Sequence, residues 1–224
     1  MSTASLAPAR ISRARGKYLI FAFVSVMLAY VLFHNESFLV HSDDPHWSHY
    51  RQIWMWLLPH GLAGACALLL APMQFSDRLR QRYLKLHQVV GYIYVGAVMI
   101  AAPMGFFTQF IQESSGMPRS FSFAALTQAS SWIITTLVAL VLIRQGKITQ
   151  HRQWMTRSFS VALIFLEVRF IEGVMGWDKL GPGVDETMVW MLNVFALLAA
   201  DVVLQWQDGW RKRPLPSKAQ AAAQ

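Results

Sequence analysis

Apolar residues fall along this chain in long unbroken stretches, without the two-residue alternation of a half-buried strand. Six such stretches span residues 18–33, 53–75, 86–107, 122–143, 154–176 and 187–206. A hydrocarbon core about 30 Å thick takes about 20 helical residues at about 1.5 Å each. The pattern therefore predicts an all-α fold, a polytopic bundle of six transmembrane helices. Barrel strands are excluded by the same runs, because they would alternate lipid-facing and lumen-facing residues. The first stretch is the shortest and follows Arg10, Arg13, Arg15 and Lys17, an arrangement shared with signal peptides. No small-residue cleavage site follows in "YVLFHNESF", so it reads as an uncleaved first span.

Composition supports this class. Hydrophobic residues make up 54% of the 224 and charged residues only 14%, against roughly a quarter charged in an ordinary soluble domain. The charges that remain sort by loop. With the N-terminus in the cytoplasm, the inner segments 1–17, 76–86, 144–153 and 207–224 carry 15 Lys and Arg, and the outer loops 34–52, 107–121 and 177–186 carry 3. That asymmetry is the positive-inside pattern and places both termini in the cytoplasm. The domain plan is a basic N-terminus (1–17), a membrane domain (18–206) and a basic tail (207–224) expected to be disordered beyond Pro214. The net charge of +8 is explained by topology. The cations form short strips beside spans, with no basic domain to carry a nucleic-acid reader. Trp54, Trp56, Trp154 and Trp206 sit at span ends, where interfacial aromatics collect. The single Cys66 lies mid-span and reads as a small buried hydrophobe.

Ionisable residues inside a membrane are costly and turn toward the protein interior. His60 lies roughly 4–5 Å outward of the centre of its span. Glu167, Arg169 and Glu172, on a span running the other way, fall in the same outer half, as do Gln128 and Asn193. Four helices thus converge on one polar layer, a candidate pocket of His60, Gln128, Arg169, Glu172 and Asn193. His151 and Arg169 are 18 residues apart and share a helix face with Ser158 between them, while Arg169 and Glu172 form an i, i+3 pair. His60 continues into Gly64, Ala67 and Ala71, a strip that serves either close helix packing or a flat ligand. Gln128, Ser131 and Thr135 form a polar seam.

The inner face has its own constellation. His87 opens the third span and His151 precedes the fifth, with Tyr94 two turns beyond His87. Helix N-termini disfavour a protonated imidazole, and two neutral histidines on neighbouring helices can grip the iron of haem b. His87 and His151 are therefore candidate iron ligands, with His60 an alternative partner, Tyr94 a candidate cofactor contact, and Arg157 a candidate contact for the haem carboxylates. "KLHQVVGYIYVGAVMI" and "TQHRQWMTRSFSVALI" align on these histidines, which suggests parallel repeats of spans two plus three and four plus five. The position matching His60 is nearest Gln128, so a second pair of histidines is missing. In the loop "HSDDPHWSHY", His41, Asp43, Asp44, His46 and His49 offer imidazoles and carboxylates without a regular metal motif.

Three blocks between His60 and Gly176 carry a family resemblance. The first, "HGLAGACALLLAPMQF", has His60 and a Pro72-x-Gln74-Phe75 ending. The second, "LHQVVGYIYV", has His87, Gly91 and Tyr94, with Gln88 and Tyr92 where arginines are expected. The third, "SSWIITTLVALVLIRQGKITQHRQWMTRSFSVALIFLEVRF", has Trp132, His151, Arg152, Trp154, Met155, Arg157, Ser158 and Arg169. The chain thereby resembles the bacterial predicted-membrane-protein family known as domain of unknown function 2306. The resemblance implies a polytopic inner-membrane protein and no particular activity.

Three functions fit the residues. One is a redox protein that binds haem b and passes electrons between quinone and a partner protein. The second is a transporter or small-solute binding protein using the outer pocket. The third is an accessory subunit of a membrane complex, in which the polar groups only hold helices together. There is no Gly-x-Ser-x-Gly, HExxH or phosphate loop, so hydrolase or transferase chemistry of the soluble type is not indicated.

Overall fold

Each apolar stretch forms a helix. The computed structural model describes residues 8–34 and 51–211. Among the described residues there are seven α-helices and no strand: α1 (Pro8–His34), α2 (Trp54–Gln74), α3 (Asp77–Arg82), α4 (Leu84–Gln112), α5 (Arg119–Arg144), α6 (Ile148–Met175) and α7 (Pro182–Arg211). The loop holding His41, Asp43, Asp44, His46 and His49, and the tail beyond Pro214, lie outside the described residues.

Four helical segments are long and apolar enough to cross a membrane: Trp54–Gln74, Leu84–Ser115, Arg119–Arg144 and Gly183–Trp206. The other two expected spans depart from that standard for different reasons. The apolar part of α1, Tyr18–His34, is shorter. Helix α6 has 28 residues, about 42 Å of helix, but contains Arg152, Arg157, Glu167, Arg169 and Glu172. Charge, not length, sets it apart.

Packing shows where those charges go. Helix α2 lies on α4, α4 on α5, α5 on α6, and α6 returns to α2, closing a ring of four with α4 and α6 on one diagonal and α2 and α5 on the other. Helix α1 leans on α6, and α7 on α6 and α5. The helix with the most charges inside its apolar run is therefore the one with the most protein neighbours, as expected where lipid cannot solvate an ion. Small residues line the contacts: Ala67, Ala71, Ala97, Ala101, Ala129 and Ala162 are buried among Val98, Val161 and Ile164, which lets the backbones approach. Gly64 does not belong to that set, because a methyl group added there would meet nothing. Phe21, Phe75 and Phe159 join α1, α2 and α6 at one end, with ring centroids 5.5 to 5.8 Å apart. Met191, Phe195, Leu198, Val202 and Trp206 of α7 face outward. An apolar surface of this kind needs lipid rather than water.

Segment 76–86, expected as an inner loop, contains the short helix α3. Ser76 caps it, its Oγ accepting from the Leu79 N–H at 3.3 Å, and Arg80 pairs with Asp77 at 2.6 Å. Helix α6 ends at Gly176, whose φ of 67° lies in the left-handed region that a side chain would disfavour.

Candidate functional site

A closed hydrogen-bond ring crosses the bundle between the diagonal helices. The Trp132 indole N–H donates to the Tyr94 hydroxyl at 3.3 Å, and the Thr136 hydroxyl donates to the Trp132 carbonyl at 2.7 Å. Tyr94 and Ser158 are 2.9 Å apart, Ser158 and Thr136 2.8 Å. An indole can only donate and a carbonyl can only accept. Every proton is thereby directed: Thr136 gives its own to the carbonyl, so Ser158 donates to Thr136, and Tyr94 donates to Ser158. All four side chains are buried, and each hydroxyl proton in the ring is used. Tyr94, a candidate cofactor contact by sequence, is thus committed to this ring. Of the expected seam, Gln128 and Thr135 are buried and Ser131 is half-buried, while Trp132 and Thr136 join the buried set.

The Tyr94 to Ser158 bond also fixes the register of two parallel helices. Seven residues back from Tyr94 is His87, and seven back from Ser158 is His151. Two turns on each helix amount to about 10.5 Å and return to the same face. His87 and His151 therefore lie below the ring, near enough to act on each other electrostatically. The Nδ1 of His151 is 2.8 Å from the Ala139 carbonyl of α5. A carbonyl accepts, so Nδ1 carries the proton and Nε2 keeps its lone pair, the usual orientation of a metal-binding imidazole. His151 precedes the apolar part of α6. Burial holds its imidazole below the ordinary pKa, against the pull of the Ala139 bond and with the help of Arg152. The Nδ1 of His87 is buried and has no hydrogen-bond partner among the described residues. Gln74, not singled out by sequence chemistry, lies against Gly91 and donates to the His87 carbonyl at 3.2 Å. It ties the end of α2 to the start of α4, which explains why the Pro72-x-Gln74-Phe75 ending accompanies His87 and Gly91.

A second cluster lies toward the other end of the bundle from His87 and His151. His60 donates from Nδ1 to the Ala101 carbonyl at 2.8 Å and lies over Gly105, where an added Cβ would come 2.7 Å from the ring. Arg169 is within electrostatic reach of His60. It pairs with Glu172 at 3.5 Å, the carboxylate 1% exposed and the guanidinium 38%. Gln128 donates to the Val161 carbonyl at 3.2 Å. Asn193, though buried, donates to Val189 of its own helix at 2.9 Å, so its amide holds α7 rather than the cluster. The structure thus brings His60, Arg169 and Glu172 together.

Arg157 has a partner the sequence reading missed. Its guanidinium meets Asp201 of α7 at 2.6 and 2.9 Å and stacks over Trp154 at 5.1 Å. The expectation that Arg157 faces haem carboxylates gives way to an ion pair between α6 and α7. Asp201 is the only acid between Thr187 and Trp206, and asking which cation answers it would have found the pair. Among the described residues no three His, Cys, Asp or Glu side chains gather as a metal-ion site.

Residues 57–206 match a family described as predicted membrane protein, DUF2306. The match extends past the sequence resemblance at Gly176 and takes in most of α7. No curated protein and no solved structure matches the chain.

Proposed function

We propose that this chain, which belongs to the DUF2306 family of predicted membrane proteins, is a haem b-binding electron carrier of the bacterial inner membrane. In this reading all six long helices cross the bilayer and both termini are cytoplasmic. The observation that carries it is the heptad step from the Tyr94 to Ser158 bond, which puts His87 and His151 opposite each other on diagonal helices. The donor set suits the group. Nε2 of His151 is a free lone pair fixed by the Ala139 bond, and the unanswered Nδ1 of His87 marks a buried polar atom awaiting a partner. His87 and His151 would hold the iron, and bound haem would supply one-electron transfer between quinone and a redox partner protein. The chain's own residues do the rest. Trp132, Tyr94, Ser158 and Thr136 form a rigid layer above the histidines, and Gln74 fixes the His87 end of α4.

Haem titrated into protein purified without it should bind one equivalent with a low-spin spectrum. His151→Ala and His87→Ala should each abolish that spectrum, while His60→Ala should keep it. A low-spin spectrum that survives both inner substitutions refutes the assignment.

The convergence of His60, Arg169 and Glu172 favours a second reading, a small-solute or ion site in the outer half. Ligand-induced thermal stabilisation lost in Arg169→Ala supports it. Identical responses of that variant and the parent across a panel of anions and cations count against it.

A further inference from the structure

Glu167 is the acidic residue of α6 that neither cluster uses. Among the described residues no cation or hydrogen-bond donor meets it, and burial alone acts on it. Its place on the helix explains why. Helix α6 meets α1 along Phe159, Phe170 and Gly173 and meets α7 along Arg157, Val168 and Ile171. At 3.6 residues per turn, Glu167 falls between those stripes. Helices α1 and α7 both lean on α6 and have no extensive contact with each other. The half-buried Glu167 therefore sits at the base of a cleft between them.

Both flanking helices are apolar where they join the core. Val24, Met27, Leu28 and Val31 of α1 are buried in the core, and Leu192 and Ala196 of α7 pack in the same cluster. On the last helix, Glu186 accepts from Ser120 at 2.8 Å. Tyr30 and His34 of α1 lie against Gly173, and Asp201 of α7 is bonded to Arg157. On α6 itself Arg169 is paired with Glu172. A carboxylate left without a partner in such surroundings is avoided by keeping its proton.

We propose that Glu167 is a proton-binding site that opens to the bilayer interior through the cleft between α1 and α7. Its ligand is a proton, and as an undissociated acid in that cleft it is a target for a lipid-soluble carbodiimide. In that reaction the acid proton passes to a carbodiimide nitrogen while the carboxyl oxygen bonds to the central carbon. One C=N bond becomes a single bond, and the acyl group then moves from oxygen to nitrogen to leave a stable N-acylurea. Nothing is oxidised and no group leaves. Glu172 and Asp201 instead stand within ion-pair distance of Arg169 and Arg157, at 3.5 and 2.6 Å.

The test is dicyclohexylcarbodiimide labelling of the full chain in lipid nanodiscs, mapped by peptide mass spectrometry. The expected result is an adduct on Glu167 at neutral pH, absent from Glu172, Asp201 and the Glu167→Gln protein. Its yield should fall about tenfold per pH unit once the acid ionises, and a water-soluble carbodiimide should leave Glu167 unmodified. If Glu167→Gln does not fold, the site map and pH series of the parent decide. No adduct on Glu167, equal labelling of Glu172 or Asp201, or a yield indifferent to pH overturns the proposal.

Discussion

Replacing Gly105 by alanine tests the placement of His60 without touching the histidine itself. The new Cβ would lie 2.7 Å from Cε1 and 2.8 Å from Nδ1 of the His60 ring, closer than carbon approaches either atom in a packed interior. The ring has little freedom to move away, because Nδ1 is held 2.8 Å from the Ala101 carbonyl one turn earlier on the same helix. Relief requires either breaking that bond or pushing α2 off α4. Overpacking of this kind costs about 1–3 kcal/mol, and a buried donor left without its acceptor about 1–3 kcal/mol. Because one route or the other suffices, Gly105→Ala should lose about 1–3 kcal/mol. In a His60→Ala background the collision disappears, and alanine should gain about 0.5–1 kcal/mol over glycine within a helix. The assay is a double-mutant cycle by reversible unfolding in mixed micelles, and the coupling between the two positions should be about 3 kcal/mol. An equal cost for Gly105→Ala in both backgrounds would refute the contact, and so would a harmless Gly105→Ala in the parent.

Three further outcomes follow from other parts of the bundle. Tyr94→Phe removes the hydroxyl that receives from Trp132 and gives to Ser158, and should cost about 1–2 kcal/mol in the same unfolding assay. Most of that cost should vanish when Ser158→Ala is already present, so additive losses would break the ring argument. Asp201→Ala leaves Arg157 without its carboxylate and should destabilise by about 1–3 kcal/mol, below the value for a fully buried pair because both partners keep some exposure. The exchange Arg157→Asp with Asp201→Arg should restore stability, and a swap no better than either single change argues against the pair. His151 is held neutral in the fold, its pKa below the 6.5 of a free imidazole. The unfolded chain takes up the proton first on acidification, so the stability from the neutral ring is intact above pH 6.5 and drains away as pH falls below it. Melting temperatures between pH 7.5 and 5.5 should show this loss, and His151→Gln should flatten it.

Much of the fold was readable from residues because lipid imposes simple rules. Unbroken apolar runs gave the helices, and the cost of intramembrane charge gave the inward direction of Arg169 and Glu172. What the runs could not give is which helices are neighbours. The diagonal relation of α4 and α6 depends on packing, so the pairing of Tyr94 with Ser158 was invisible while the shared face of His87 and Tyr94 was plain. Thr136 was missed for a related reason. A seam drawn through Gln128, Ser131 and Thr135 is helically sound, but the indole of Trp132 supplies the polar atom that organises the interior, and a tryptophan in an apolar run reads as hydrophobic. Asn193 shows the converse: polar and at the right depth, it bonds its own helix. Gly64 continued the small-residue strip in sequence but faces open space.

The central claim is that His87 and His151 meet across the bundle to hold one haem. The most direct measurement is the reduced-minus-oxidised absorption spectrum of the intact protein purified from haem-supplemented cells. The account predicts a low-spin b-type signal at one haem per chain, retained in His60→Ala and lost in both His87→Ala and His151→Ala. A colourless protein from such cells, folded and with both histidines intact, would contradict it.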